Sequence, residues 1–268
     1  MRAWFNVNLP VLDASAARLE ALRARQDDID AHDLVDMITA DPLMALKVMV
    51  LAGALQAKHA QRTDRPATTP ESITAALVMM GLSPFFAAMS LQTRVEDRLT
   101  DHPEALAGLH QVLHRAHRAA SFAIGFAVHR MDYDADVIAL ATLLHDFAEM
   151  LLWCHAPALA LRIRDLQRAA PQRRSLEVQR EVLNIELPDL QQALMKAWHL
   201  PELLVRISDE RHSDQANVQC VTLAVQLARH TAVGWDSAPV PDDIAAIAQL
   251  LNLSLPATLQ MMRDIDSH

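Results

Sequence analysis

Three features of the sequence predict an all-α fold. The 268 residues are 51% hydrophobic and rich in Ala and Leu, yet include only six Phe, one Tyr and five Gly. Ala and Leu give up little side-chain freedom on entering a helix, whereas a sheet protein draws more heavily on β-branched and aromatic residues. Helix-start signals recur as Asp41-Pro42, Thr69-Pro70 and Ser83-Pro84. In each, a side chain able to accept from first-turn amides precedes a proline that wastes no donor there. The third feature is the segment 135–154, ADVIALATLLHDFAEMLLWC, apolar almost all round like a helix enclosed by others. A chain of this length can bury a substantial core, as one large domain or two small ones.

The three early starts read as short helices packed at angles. Helices are expected over 13–25, 31–39, 42–57, 71–80 and 84–93, with Gly81 closing one of them in a left-handed cap. A long helix follows Pro103 to about Arg130, and another covers 135–155. Then come 157–169, 175–183, 189–198 and 201–211, and three more near 216–233, 241–251 and 255–265. Segments 57–69 and 170–174 are polar, carry proline and read as loops too short for domain linkers. The expected organisation is one domain over 5–212, with an N-terminal helical lobe to about 100 and a second lobe over 101–212. A helical C-terminal extension, 213–268, packs on the second lobe.

The formal net charge is −9, with thirteen His. Phosphate contact wants an excess of Lys and Arg, so no nucleic-acid partner is expected. Arg162, Arg164, Arg168, Arg173, Arg174 and Arg180 crowd one region and read as a solvated face. Cys154 and Cys220 sit in apolar surroundings and read as small hydrophobes. No charged N-terminal region leads into an apolar stretch, and the apolar run 137–144 is short for a bilayer. The expectation is a cytoplasmic protein with reduced thiols and no membrane partner. There is no CxxC, GxSxG or P-loop.

His145 and Asp146 stand side by side within the apolar segment. Burying such groups is costly unless they are paired or ligated. Read as helical neighbours, they diverge by about 100° and can still border one cavity. They could offer an imidazole nitrogen and a carboxylate oxygen to one divalent metal, or be satisfied by hydrogen bonds from neighbouring helices.

Leu143-Leu144-His145-Asp146-Phe147-Ala148-Glu149 resembles the LLHDIGK segment of the HD superfamily of metal-dependent phosphohydrolases, and the wider chain resembles its HDOD branch. Leu9-Pro10-Val11-Leu12 resembles that family's opening LPxLP. Ala40-Asp41-Pro42-Leu43, running on to Val50-Leu51-Ala52, resembles its xDPxLxxxxLxxAN helix. Ser72-Ile73 to Met80-Gly81-Leu82 is similar to SIxxAIxxLGL, and Trp198-His199-Leu200-Pro201 to WxLP. Ser175-Leu176-Glu177 to Arg180-Glu181-Val182-Leu183 is similar to SLxxxExxxLG. The matches run in order over about 9–212. The resemblance implies an HD-domain-like multi-helical array.

It also implies a ligand set, His … His-Asp … Asp, whose metals polarise a phosphoryl oxygen and supply a hydroxide. His145 and Asp146 match the central pair. His114 best fits the first His, with His117 as runner-up. The closing Asp falls at Val225, which cannot coordinate a metal. The additional His of two-metal members falls near Leu187 or Pro188. The His pair after WxLP reads Arg211-His212, and an arginine there repels a cation. Glu149, three residues after Asp146, stands where relatives carry lysine and is a candidate replacement carboxylate.

The leading reading is therefore a non-catalytic, catalytically degenerate HDOD module of bacterial signal transduction that binds a signalling protein or a nucleotide-type ligand. It requires no cofactor. A single Mn, Fe, Ni or Mg ion at His114, His145, Asp146 and His212 is the residual metal reading. The alternative is an active metal-dependent phosphohydrolase acting on nucleotides or cyclic dinucleotides. A third reading is a sensor that keeps the old cavity, with Arg211 and His212 holding an anion and His117 and Glu149 as further ligand-binding candidates. A homodimer is left open.

Overall fold

Helices carry the regular structure of this computed structural model, which describes residues 8–25, 29–63, 69–212 and 214–267. Among the described residues the one β feature is an isolated parallel bridge between Val11 and Arg94. The fold class is thus the all-α, multi-helical array read from the sequence. The expected domain start at residue 5 lies outside the described residues.

In chain order the helices are α1 (Asp13–Arg23), α2 (Ala31–Thr39), α3 (Pro42–Thr63), α4 (Ile73–Met80), α5 (Leu82–Ala88), α6 (Val95–Arg98) and the long α7 (Pro103–Arg130). There follow α8 (Ala135–Leu143), α9 (Phe147–His155), α10 (Pro157–Ala169), α11 (Ser175–Leu183), α12 (Leu187–Ala197) and α13 (Glu202–Ile207). After a short 3-10 turn, Glu210–His212, α14 (Ala216–His230), α15 (Val240–Leu251) and α16 (Leu255–Asp266) complete the chain. Two compact units divide it: Met1–Leu113 with Asp146–Pro201, and His114–His145 with Glu202–His268.

In the first unit, α3 starts where the sequence places its cap. Asp41 is wholly buried. Its Oδ1 accepts from the amides of Leu43 at 2.9 Å and Met44 at 3.2 Å, and its Oδ2 accepts from Leu12 N–H at 2.8 Å. The helix runs on to Thr63, past the expected end at 57, because Ala, Lys, Gln and Arg in that segment are good helix formers; residues 64–68 lie outside the described part. The other two caps differ from expectation. Ser72, not Thr69, accepts from Ala75 N–H at 3.2 Å at the start of α4. Ser83-Pro84 falls inside the first turn of α5, where proline removes no helical bond. Gly81 has φ +76° and ψ +154°, so it redirects the chain from α4 into α5 instead of forming a left-handed cap.

α9 is the hub of this unit and packs against α3, α10 and α12. Phe147 is fully buried and its ring centroid lies 5.9 Å from that of Trp198. Two glycines permit close approach. A Cβ on Gly53 would lie 2.6 Å from the His199 carbonyl oxygen, and one on Gly108 would lie 2.6 Å from the Trp153 indole.

The expected single helix over 135–155 is two helices, α8 and α9, with a turn at 144–146 between them. The backbone at Leu144 (φ −93°, ψ 3°) and Asp146 (φ −106°, ψ 22°) leaves the helical region for the bridge region. His145 N–H turns to Thr142 C=O at 3.1 Å. Just upstream, the buried Thr142 hydroxyl donates to Ile138 C=O at 2.7 Å, a back-bond that bends helices. By length and composition Ala135–His155 is long and apolar enough to cross a bilayer, beyond the 137–144 run considered above. In the structure, 78% of its most apolar window is buried inside the protein.

In the second unit, α8 packs on α13 and α14, α14 on α15, and α15 on α16. Arg118 of α7 ties the C-terminal helices down. Its Nε–H and Nη2–H donate to the two oxygens of Asp266 at 2.7 and 2.8 Å, and Nη2 also reaches Thr231 Oγ1 at 2.9 Å. The Trp235 indole N–H donates to Asp266 at 3.1 Å. Further along α7, Arg130 donates to Leu250 C=O, and His129 Nε2 lies 3.2 Å from Leu251 C=O, at the otherwise open end of α15.

The Arg118 bonds, with Trp235 and nearby charge, hold the Asp266 carboxyl below its ordinary 3.8 against the opposing effect of burial. A depressed carboxylate stabilises the fold above its unfolded pKa, and that stabilisation is lost as pH falls through the folded value. Arg118→Ala is therefore expected to cost about 2–3 kcal/mol in denaturant unfolding followed through Trp235. The variant should also lose the acid-side dependence below about pH 4. An unchanged midpoint would show the network to be dispensable.

Candidate functional site around the His-Asp pair

His145 and Asp146 are turn residues, both half-buried, not interior positions of one helix. His145 closes the stretch 114–145 of the second unit, and Asp146 opens the stretch 146–201 of the first. Asp146 is the N-cap residue of α9, and its backbone carbonyl accepts from Glu149 N–H at 3.0 Å and Met150 N–H at 3.1 Å.

Glu149 lies in the first turn of α9, half-buried, and its Oε1 accepts from the Trp153 indole N–H at 3.5 Å. Leu187 is buried at the first position of α12, and Pro188 is exposed. Hydrocarbon thus occupies the place where the resemblance implies an extra histidine.

In the second unit, His114 is exposed on α7 and its charge acts on Asp266. His117 is half-buried nearly one turn on, and its carbonyl accepts from the Ser121 hydroxyl at 3.2 Å. Arg211 and His212 are exposed in the 3-10 turn. Arg211 Nε–H donates to Asp209 Oδ1 at 2.8 Å. Burial pushes the Asp209 carboxyl up, but the Arg211 hydrogen bonds and charge outweigh it, and the net direction is down. Val225 is 3% exposed on the buried face of α14. Among the described residues no group of three or more His, Cys, Asp or Glu is arranged to hold a metal ion.

Other polar groups are settled by the fold. Arg164 pairs with Glu104 and Asp165, Arg173 with Glu181, and Arg180 with Glu186, so half of the arginine cluster is neutralised locally. The Cys154 thiol is pushed up to about 12 and that of Cys220 to about 11, both chiefly by burial. Such thiols are inert at neutral pH. A pocket in the first unit, lined by Leu19, Glu20, Arg23, Met89, Gln92 and Arg94 among others, contains none of the candidate residues.

Two histidine pairings were missed by sequence reasoning. His230 Nδ1 lies 2.6 Å from Oδ2 of the buried Asp243, joining the end of α14 to the start of α15. His155, at the end of α9, takes an N–H from Arg98 at 2.8 Å. Burial first, and the Arg98 charge second, push it down to about 4, so it is neutral near pH 7. Both histidines end helices, but their partners lie on other helices, and no local pattern in the sequence points to either pair.

The fold is shared with solved bacterial proteins. The MmoQ response regulator of Methylococcus capsulatus str. Bath superposes with a TM-score of 0.69 at 20% identity, over 96% of this chain and 99% of that one. A virulence factor of Campylobacter jejuni subsp. jejuni gives a TM-score of 0.69 at 13% identity, covering 99% and 94%. An HDOD domain protein of unknown function from Geobacter sulfurreducens gives 0.51 at 16%, covering 97% and 92%. No functionally curated protein matches the chain. The HDOD domain profile matches residues 9–214. That range takes in the Asp41 cap, the His145-Asp146 turn and the Trp198–Pro201 corner, and the chain belongs to the HDOD family.

Proposed function

We propose that this chain is a non-catalytic HDOD module of a bacterial signal-transduction system, acting by binding a protein partner or small ligand. The observation that carries this reading is Val225. It stands where the resemblance places the closing carboxylate, and it is buried in hydrocarbon packing on α14. A dinuclear hydrolytic centre needs hard oxygen and imidazole donors on every side of its ions. Val225, Leu187 and Arg211 supply none at three of the expected positions, so the residues present do not fit that centre. The fold shared with a protein named as a response regulator supports the signalling context.

The test is elemental analysis of protein purified without chelator, with and without added Mn²⁺, Fe²⁺ or Ni²⁺, followed by a screen of phosphodiester and nucleotide substrates. The expected result is no stoichiometric metal and no turnover. Metal at one or more equivalents that disappears in a His145→Ala, Asp146→Ala double variant, together with turnover, would overturn the reading in favour of a phosphohydrolase.

A further inference from the structure

The hairpin of α10 and α11 concentrates positive charge in an acidic chain. Residues 157–181 hold six arginines against three carboxylates, whereas the chain as a whole has a formal net charge of −9. Half of these arginines are neutralised within the fold: Arg164 pairs with Glu104 and Asp165, Arg173 with Glu181, and Arg180 with Glu186. The others, Arg162, Arg168 and Arg174, are exposed, and among the described residues their guanidinium groups have no hydrogen bond or ion pair. A guanidinium keeps its charge throughout the physiological pH range. Asp165 is turned to Arg164 at 2.9 Å and Glu181 to Arg173 at 2.7 Å. That leaves Glu177 as the carboxylate of this stretch that is not already paired.

The hairpin itself fixes where two of the free arginines stand. α10 and α11 pack on each other, with Ala160, Ile163, Val178 and Leu183 buried. At the corner the Gln167 side-chain amide donates to Ser175 Oγ at 2.7 Å, and Gln179 Nε2 donates to the same oxygen at 3.1 Å. Arg168 follows Gln167 and Arg174 precedes Ser175, so the bond that closes the corner brings both arginines to it. Arg162 lies about 9 Å back along α10. Leu176, 41% exposed, belongs to the same corner, as do the exposed Pro171 and Gln172.

We propose that this corner binds an acidic peptide segment of a protein partner, with its carboxylates on Arg168 and Arg174. An arginine can take a carboxylate through two parallel N–H bonds. The exposed Leu176 beside them offers an apolar contact that a peptide side chain can use and a phosphate backbone does not. The overall charge points the same way, because an acidic chain repels the long phosphate run of a nucleic acid more than it repels a short peptide. Exposed charge pairs are individually weak and screened by salt, so the binding is transient and falls as salt rises. The proposal deepens the signalling reading by giving its protein partner a chemistry. Its test involves neither metal nor turnover, so the two fail separately.

Fluorescence anisotropy at low salt, with a labelled peptide of glutamates around one leucine, measures this binding. Saturable binding is expected. It should be tighter than for the same peptide with glutamine in place of glutamate, and tighter than for a single-stranded oligonucleotide of equal charge. The double reversal Arg168→Glu, Arg174→Glu should weaken it about tenfold or more, with an unchanged circular dichroism spectrum because both side chains are exposed. Arg18→Glu, exposed on α1, should leave it unchanged. No binding of the glutamate peptide, or equal binding of the glutamine peptide, overturns the proposal. So does binding that survives the double reversal or that Arg18→Glu weakens as much. An oligonucleotide that binds as tightly as the peptide would make the corner a phosphate site and overturn it as well.

Discussion

Gly53→Ala is expected to lower the melting temperature of the protein by roughly 6–12 °C, through a cost of about 3 kcal/mol. Alanine at a helix interior would ordinarily gain close to 1 kcal/mol over glycine, so the expected sign is opposite to the propensity rule. The reason is the backbone of the Trp198–Pro201 corner. A Cβ at position 53 would lie 2.6 Å from the His199 carbonyl oxygen and 2.7 Å from that of Trp198. Those carbonyls cannot swing away. Trp198, His199 and Leu200 donate their amides to Leu194, Lys196 and Met195, and His199 is held at φ +54°. The helix must therefore move, and α3 also packs on α9, so the strain reaches the hub of the first unit. Gly125→Ala is the internal control. There the Cβ would meet the tip of Ile265, a side chain that can turn aside, and the loss should be smaller. A thermal melt in which Gly53→Ala equals the wild type, or exceeds it, would refute this account of the corner.

The same corner shows what could be read from the sequence. Val50-Leu51-Ala52 and Trp198–Pro201 were legible as separate family motifs, and the structure brings them together, with the backbone of Gly53 close against the Trp198 and His199 carbonyls. Helix positions were legible because caps and apolar periodicity are local. Asp41-Pro42 was read correctly, as the burial and bonds of Asp41 attest. Thr69-Pro70 was not, since Ser72 three residues on does the capping; two acceptors stood close together, and local chemistry does not choose between them. The break at 144–146 was invisible because periodicity through an apolar segment is the same for one helix or two. Only the Thr142 hydroxyl hinted at it. The candidate ligands were found by family register, which gives identity but not placement. The sequence could not say that His114 and His212 are exposed while Val225 is buried, because exposure is decided by distant helices. The Arg118–Asp266 pair, 148 residues apart, had no local signature at all.

Asp41→Ala is expected to cost about 3–4 kcal/mol, the largest loss predicted for a polar residue of this protein. The carboxylate does two tasks. One oxygen caps α3 through Leu43 and Met44, and the other holds Leu12 N–H, pinning the segment that carries the Val11–Arg94 bridge. Asp41→Asn separates them. Its carbonyl oxygen still caps α3, but its amide would point a donor at the Leu12 donor, so about half of the loss is expected to remain. The carboxyl also carries a pH signature. Burial is the largest influence and pushes it above its ordinary 3.8, against hydrogen bonds from Leu12, Met44, Ser15 and Leu43 that pull it down. A carboxyl raised in the folded state contributes stability that is fully present below the unfolded pKa and is lost as pH rises through the folded value. The gap between wild type and Asp41→Asn should therefore be widest below about pH 4 and narrow as pH rises. Guanidinium unfolding in a pH series measures this. A gap that widens with pH would mean that the hydrogen bonds outweigh burial and that Asp41 is held as a carboxylate throughout.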